Sequence, residues 1–211
     1  MNFEELKLPN PGILIAEMPS DILENLKEEV NKQSSFNDKF PINEKMRKWN
    51  SKLIGQIEKE YKFDLPKNFE KFLFEFCSGY IKHFNITGFR IKETMSWMNI
   101  QRKNEYNPNH THSANLSWVA WIDIPYSLTN EDSMSNTKES TLKTNSRFEF
   151  LFSKLNGEIK THTLDIDKTW EGKIIMFPSY LMHTVYPFFT SDEYRISMAG
   201  NIYSYDTGII S

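Results

Sequence analysis

The spacing of apolar positions changes character near residue 85 of this 211-residue chain. Before that point hydrophobic residues recur at helical intervals, and beyond it they fall in short runs separated by turn residues. Residues 12–17 form a short apolar strand candidate. Ser20 then reads as the N-cap of a helix over 21–32, with Asp21 in its first turn and Leu23, Leu26 and Val30 on one face. A second helix is predicted over 42–61, where Met46, Trp49, Leu53 and Ile57 make an apolar stripe. Pro66 starts a third, which runs to about residue 84. Its stripe of Phe69, Phe72, Leu73, Phe76 and Tyr80 reads as core.

Strands follow, over 88–92, 96–102, 116–124, 147–153, 157–164, 173–177, 183–187 and 194–204. Asn156-Gly157 is a hairpin turn signal between two of them. Eight short strands with turn residues between them predict a closed barrel or a two-sheet jelly roll. The fold class is therefore mainly β with N-terminal helices. We expect one domain over 1–211, in which a helical part, 1–85, packs on a β core, 86–211. Residues 127–146 stand apart, with twelve Ser, Thr or Asn among twenty. They are expected to form a flexible loop, either a plain surface connection or a lid over a site.

Composition narrows the function classes. With 39% hydrophobic and 14% aromatic residues the chain can bury a real core. A net charge of −3 gives no general pull toward nucleic acid or an anionic membrane. The lone cysteine, Cys77, lies in a mostly apolar run and reads as packing, which excludes an internal disulfide framework and favours a reducing compartment. The first residues lack a basic segment followed by an apolar one, and no run approaches 18 apolar residues. A soluble cytoplasmic protein is expected.

Three of the five histidines fall in two short segments of the second half, Asn109-His110-Thr111-His112-Ser113 and Leu181-Met182-His183-Thr184-Val185. A His-x-His pair at the start of a strand would present both rings on one face. A third histidine from a remote strand would complete a three-point metal grip that leaves other positions open. Arg195 opens Arg195-Ile196-Ser197, and only five arginines occur in the chain. Its fork suits a carboxylate, and Ser197 shares its strand face. The joint pattern points to an iron site with an anionic cosubstrate. The alternative for Arg195 is a surface pair with Asp192 or Glu193.

Trp97-Met98-Asn99-Ile100, Asn107-Pro108-Asn109-His110-Thr111-His112-Ser113 with Leu116-Ser117, Gly172-Lys-Ile-Ile-Met-Phe-Pro-Ser179, and His183 with Arg195-Ile196-Ser197 resemble a known family. It is that of the 2-oxoglutarate and Fe(II)-dependent oxygenases found in bacteria and marine bacteriophages. The resemblance covers about residues 95–203. It implies a double-stranded β-helix (cupin-like jelly-roll) core, iron, and 2-oxoglutarate held by Arg195 and Ser197, with O2 as the other cosubstrate; His110, His112 and His183 are the candidate ligands for that iron. Asn99 lies where such enzymes place a polar group touching 2-oxoglutarate. The usual second ligand of the family is Asp or Glu, so the sequence departs from the pattern at His112. Either His112 takes the carboxylate's place, the favoured reading, or another carboxylate, with Asp123 the nearest, binds instead.

The expected activity is hydroxylation of an unidentified small molecule or peptide, with 2-oxoglutarate converted to succinate and carbon dioxide. Two other readings stand beside it: a three-histidine dioxygenase of the cupin kind without 2-oxoglutarate, and a jelly-roll binding module without catalysis. Trp97, Trp118 and Trp121 read as core or pocket wall, and Tyr106 as pocket entrance or loop cap. His83 and His162 read as solvent-facing. A nucleic-acid partner is not expected, and the oligomeric state is open. If phage-encoded, the protein would work in the host cytoplasm.

Overall fold

The computed structural model describes residues 12–33 and 55–205. Among these residues ten strands form two antiparallel sheets. The larger has the order β1 (Leu14–Glu17), β8 (Lys173–Pro178), β5 (Leu116–Asp123), β10 (Arg195–Ser204), β3 (Ile91–Gln101), β2 (Lys59–Lys62). The smaller runs β4 (Asn107–His110), β9 (Met182–Val185), β6 (Phe148–Ser153), β7 (Ile159–Leu164).

Strand alternation divides the core between two layers. On β8, Ile174 and Met176 face one way and Ile175 and Phe177 the other. The first pair joins Met98, Ala120 and Met198 against Leu26 of α1 (Ser20–Gln33) and Phe69, Leu73 and Cys77 of α2 (Lys67–His83). The second pair joins Trp121, Phe148, Phe150 and Phe188 between the sheets. Each fully buried Phe or Leu contributes roughly 1.5–3 kcal/mol relative to an exposed one. Gly200 on β10 is required for a packing reason, because a Cβ there would lie 2.5 Å from the Met95 carbonyl oxygen and 2.6 Å from the Trp118 ring.

Helices α1 and α2 form where the apolar spacing places them. Residues 59–61 of the predicted second helix instead belong to strand β2, where Tyr61 faces the helices and Glu60 the other layer. Residues 55–58 are not helical either, and 42–54 lie outside the described residues. The two strands expected over 88–92 and 96–102 are one strand, β3. Within its polar stretch Thr94 and Glu93 pair with Ile202 and Tyr203 of β10, and the register shifts at Lys92 before Ile91 meets Ser204. Strand β4 was not expected, since Pro108 argues against a strand; it runs along the outer edge of the smaller sheet, where a missing N–H is harmless. Asn156-Gly157 makes the expected β6–β7 hairpin, with Gly157 at φ +84°.

Candidate active site

His110 is the last residue of β4, and His183 faces it across the ladder on β9. His112 lies just beyond β4, so the His-x-His pair does not sit within one strand as expected. A turn brings its ring round instead, fixed by the His112 amide donating to the Ser179 carbonyl at 2.8 Å. Below that turn Ser117 donates to Asn201 Oδ1 and exchanges a hydrogen bond with Ser179, both at 2.8 Å.

The three rings converge. One ligating nitrogen from each lies within 4.8 Å of the others, and ring centroids are 4.2 to 5.2 Å apart. His110 Nδ1 donates to the Pro108 carbonyl at 2.7 Å, and His183 Nδ1 to the Leu181 carbonyl at 2.9 Å. A carbonyl only accepts, so these bonds fix the tautomer and leave each Nε2 as a lone pair. Burial lowers the proton affinity of all three rings, holding His112 at about 4 with help from His110, and His183 well below its ordinary value. All three are thus neutral near pH 7, the form that binds a metal. Phe148 stacks on His183 at 5.5 Å and Phe177 meets it edge-on at 5.0 Å, which restrains that ring. The donor set fits a divalent transition metal.

A cavity of about 480 Å3, including its open mouth, runs from these rings into the space between the sheets. Trp97, Asn99, Ser197 and Arg195 line it, all on the inner face of β3 and β10. Arg195 is 2% exposed. It makes no ion pair with any described carboxylate, so the surface pairing with Asp192 or Glu193 does not occur; Asp192 instead pairs with Lys103. An uncompensated guanidinium in a low-dielectric wall attracts an anion. Its fork is nevertheless not empty. Gln101 Oε1 accepts from Nε at 3.1 Å and from Nη2 at 2.6 Å. Tyr126 Oη and the Ser146 carbonyl accept from Nη1 at 2.8 and 2.7 Å, and the Tyr186 carbonyl accepts from Nη2 at 3.0 Å. All five N–H groups are engaged, against the expectation of a free fork. The Ser197 hydroxyl makes no hydrogen bond among the described residues, and Asn99 Oδ1 is buried without a donor. The Ser197 hydroxyl and the Asn99 amide N–H2, not Oδ1, are the donors this row can turn toward a carboxylate.

Residues 95–201 match the family described as "Putative 2OG-Fe(II) oxygenase". The chain belongs to that family. It is an Fe(II)- and 2-oxoglutarate-dependent oxygenase, using O2 as the third reactant. No curated protein sequence matches this oxygenase. Its fold is similar to that of a Pseudomonas putida prolyl-4-hydroxylase, at TM-score 0.57 and 12% identity over 92% of this chain and 94% of the other. It is also similar to a Trichoplax adhaerens prolyl hydroxylase solved with a hypoxia inducible factor peptide fragment, at TM-score 0.54 and 10% identity over 92% and 84%. A third similar structure is the non-heme alpha ketoglutarate dependent carbocyclase SnoK from nogalamycin biosynthesis, at TM-score 0.56 and 8% identity over 92% and 79%.

Other expectations resolve around the oxygenase's cavity. Among the described residues the histidine cluster contains no carboxylate. Asp123 is exposed beside Glu171 and Lys27, away from the three rings, so it is not an alternative ligand here. Trp97, Trp118 and Trp121 are both buried and part of the cavity wall, and Trp97 touches the His112 ring at 5.6 Å. Tyr106 is 40% exposed, and its carbonyl accepts from Gln56. His83 and His162 face solvent. Cys77 is buried, its thiol pushed up to about 12, as packing requires.

The 127–146 segment is not structureless. It contains α3 (Leu128–Asp132), and Arg147 at its end grips Asp132 at 2.6 and 2.9 Å and Asp165 at 2.8 Å. Buried Glu131 accepts from the Phe189 and Thr190 amides at 2.8–3.0 Å. Residues 127–146 do not line the cavity, but their last carbonyl, that of Ser146, holds Arg195. Gln101 and Tyr126 were missed by the sequence reading. The signal for Gln101 is strand alternation, which puts it two residues on from Asn99 on the same face.

Proposed function

We propose that His110, His112 and His183 hold the iron, that Arg195, Ser197 and Asn99 receive 2-oxoglutarate, and that the oxygenase hydroxylates a small molecule or a peptide side chain. The observation carrying this reading is the convergence of three neutral, tautomer-fixed imidazoles at the head of a cavity whose far wall holds an uncompensated guanidinium. Iron with 2-oxoglutarate and oxygen bound supplies oxidative decarboxylation to succinate and carbon dioxide together with the oxidant for a C–H bond.

The protein's own part is binding, orientation and exclusion of water. Arg195 gives the charge that draws the distal carboxylate inward. A carboxylate forms stronger, charge-assisted hydrogen bonds than the neutral acceptors now on the fork, so it can take the place of one of them. The Ser197 hydroxyl and the Asn99 amide add hydrogen bonds along the same row. Trp97, Trp121 and Phe177 keep the cavity apolar around the reacting atoms and restrict water. With three neutral ligands instead of two and a carboxylate, the site carries one more positive charge than the usual triad, which strengthens its hold on a dianionic cosubstrate.

We further read the two sheets as the double-stranded β-helix of this family, filling one domain with the helices packed outside. The work takes place in the cytoplasm, of the host if the chain is phage-encoded, which suits the unpaired Cys77; no described helix is long and apolar enough to cross a membrane. The decisive assay is succinate formation from 2-oxoglutarate with Fe(II) and oxygen. Its absence, together with no change in the visible spectrum on anaerobic addition of 2-oxoglutarate to the Fe(II) protein, would overturn the reading.

A further inference from the structure

Two acceptors without a donor stand side by side on the inner face of the six-stranded sheet. Glu60 on β2 is directly opposite Asn99 on β3, and Asn99 is opposite Ser197 on β10. Directly opposed residues project to the same side of a sheet, with Cβ atoms about 4.5–5.5 Å apart. Glu60 is 3% exposed, and its carboxyl has no hydrogen-bond or ion-pair partner among the described residues. Asn99 is 7% exposed and lines the cavity, and its Oδ1 is buried with no donor. An ionised Glu60 would set a bare carboxylate beside a bare amide oxygen, and burial penalises each. One proton removes both deficits.

We propose that Glu60 is a positioning residue of the cosubstrate pocket: as a neutral carboxylic acid it donates its O–H to Asn99 Oδ1, which turns the Asn99 amide N–H2 into the cavity as a donor to the 2-oxoglutarate carboxylate. This rests on the reading that the cavity takes 2-oxoglutarate. It uses no residue of the iron site.

The surroundings favour the neutral acid. Burial raises the Glu60 carboxyl to about 7, and no charged neighbour counts against that rise. From β3 the facing side chains are Trp97, Asn99 and Gln101, none of them charged. On β2 itself, Lys62 shares the face but is exposed, while Lys59 and Tyr61 lie on the other side. In the adjoining segments Arg102 is paired with Glu58, and Glu105 accepts from the Arg102 and Glu58 amides. Arg195, on the strand beyond β3, spends all five donors on neutral acceptors. As pH rises through the folded value, the O–H is lost and a negative charge appears beside an incoming dianion. Affinity for 2-oxoglutarate then falls.

The test is calorimetric titration of 2-oxoglutarate into anaerobic Fe(II)-loaded protein at pH 6.5, 7.5 and 8.5, for wild type, Glu60→Gln and Glu60→Leu. Wild-type affinity is expected to drop by up to about 25-fold across this range, following the neutral fraction of a carboxyl that titrates at about 7. Glu60→Gln replaces the O–H with an amide N–H, so its affinity should stay flat and exceed wild type at pH 8.5. Glu60→Leu should bind weakly at every pH with its melting temperature maintained. Identical pH profiles for wild type and Glu60→Gln, or wild-type affinity in Glu60→Leu, would overturn the proposal. Infrared spectra of the same Fe(II) protein give a readout independent of 2-oxoglutarate: a neutral carboxylic-acid carbonyl band at pH 6.5 that Glu60→Gln lacks. No such band sinks the inference outright. The band present, with no 2-oxoglutarate bound by any variant, would instead sink the assignment of the cavity.

Discussion

His110 and His183 face each other across the β4–β9 ladder with ring centroids 4.2 Å apart, each anchored through Nδ1 to the carbonyl two residues before it. The repeat of one local device on two strands gives both rings the same tautomer and aims both Nε2 atoms at one point. His112 reaches that point from a turn, without such an anchor, and its ring leans on Trp97.

Loss of any ring should release the metal. His110→Ala and His183→Ala are expected to weaken Fe(II) binding more than about 100-fold, because even changes behind a ligand cost about 10–100-fold. His112→Asp, which supplies the oxygen ligand of the usual triad, should retain iron, whereas His112→Ala should not. Anaerobic Fe(II) titration read by bound metal checks all four.

The same three imidazoles make the metal-free protein acid-sensitive. Their folded values lie below the unfolded value of about 6.5, so between the two the unfolded chain binds more protons and stability falls as pH falls. The melting temperature of the metal-free protein should hold above pH 7 and decline from pH 6.5 toward pH 4. A melting temperature independent of pH over that interval would contradict the neutral assignment.

Arg195→Lys keeps the charge and loses the fork. Removal of one charge-assisted hydrogen bond costs roughly 1.5–3 kcal/mol, so affinity for 2-oxoglutarate should drop about 10–100-fold. Gln101 Oε1, which takes two of the five donors, is left short, and thermal stability should fall as well. Calorimetry and a melting curve on one sample separate the two effects.

Glu60→Gln should stabilise the fold at alkaline pH. A carboxyl raised from 4.5 to about 7 makes the folded protein bind the extra proton, so stability declines as pH rises between those values and stays low above them. At pH 8 the substitution should gain up to about 3 kcal/mol at 1.36 kcal/mol per unit, and little at pH 4. Denaturant unfolding at both pH values measures it.

Arg147→Ala should loosen residues 127–146. The Arg147 side chain is 7% exposed, while Asp132 and Asp165 are 30% and 69% exposed, so solvent screens part of the pairing. A cost of about 2 kcal/mol is expected. Limited proteolysis should then cut within 133–146, where the wild-type chain resists. Because the Ser146 carbonyl holds Arg195, 2-oxoglutarate affinity should fall in step.

Much of this arrangement was legible in the residues. Val30, Leu26 and Leu73 announce their helices because burial of a helix face imposes a period near 3.6. Arg195 and Ser197 announce their shared side because a strand alternates with period 2. The strand β2 was not legible: Lys59-Glu60-Tyr61-Lys62 carries no apolar run, and only its pairing with β3 makes it a strand. Nor was the filled fork of Arg195, since its acceptors come from residues 101, 126, 146 and 186.

The sequence by itself determined the chemistry available: three histidines in two segments, a lone arginine with a serine two residues on, and the strand-rich half that carries them. The tertiary structure alone decided that the rings meet, that His112 is presented by a turn, that Asp123 stays outside, and that Glu60 comes to lie beside Asn99. The reason is physical. Local spacing fixes which way a side chain points along its own strand, whereas the neighbour it meets depends on how remote strands pair.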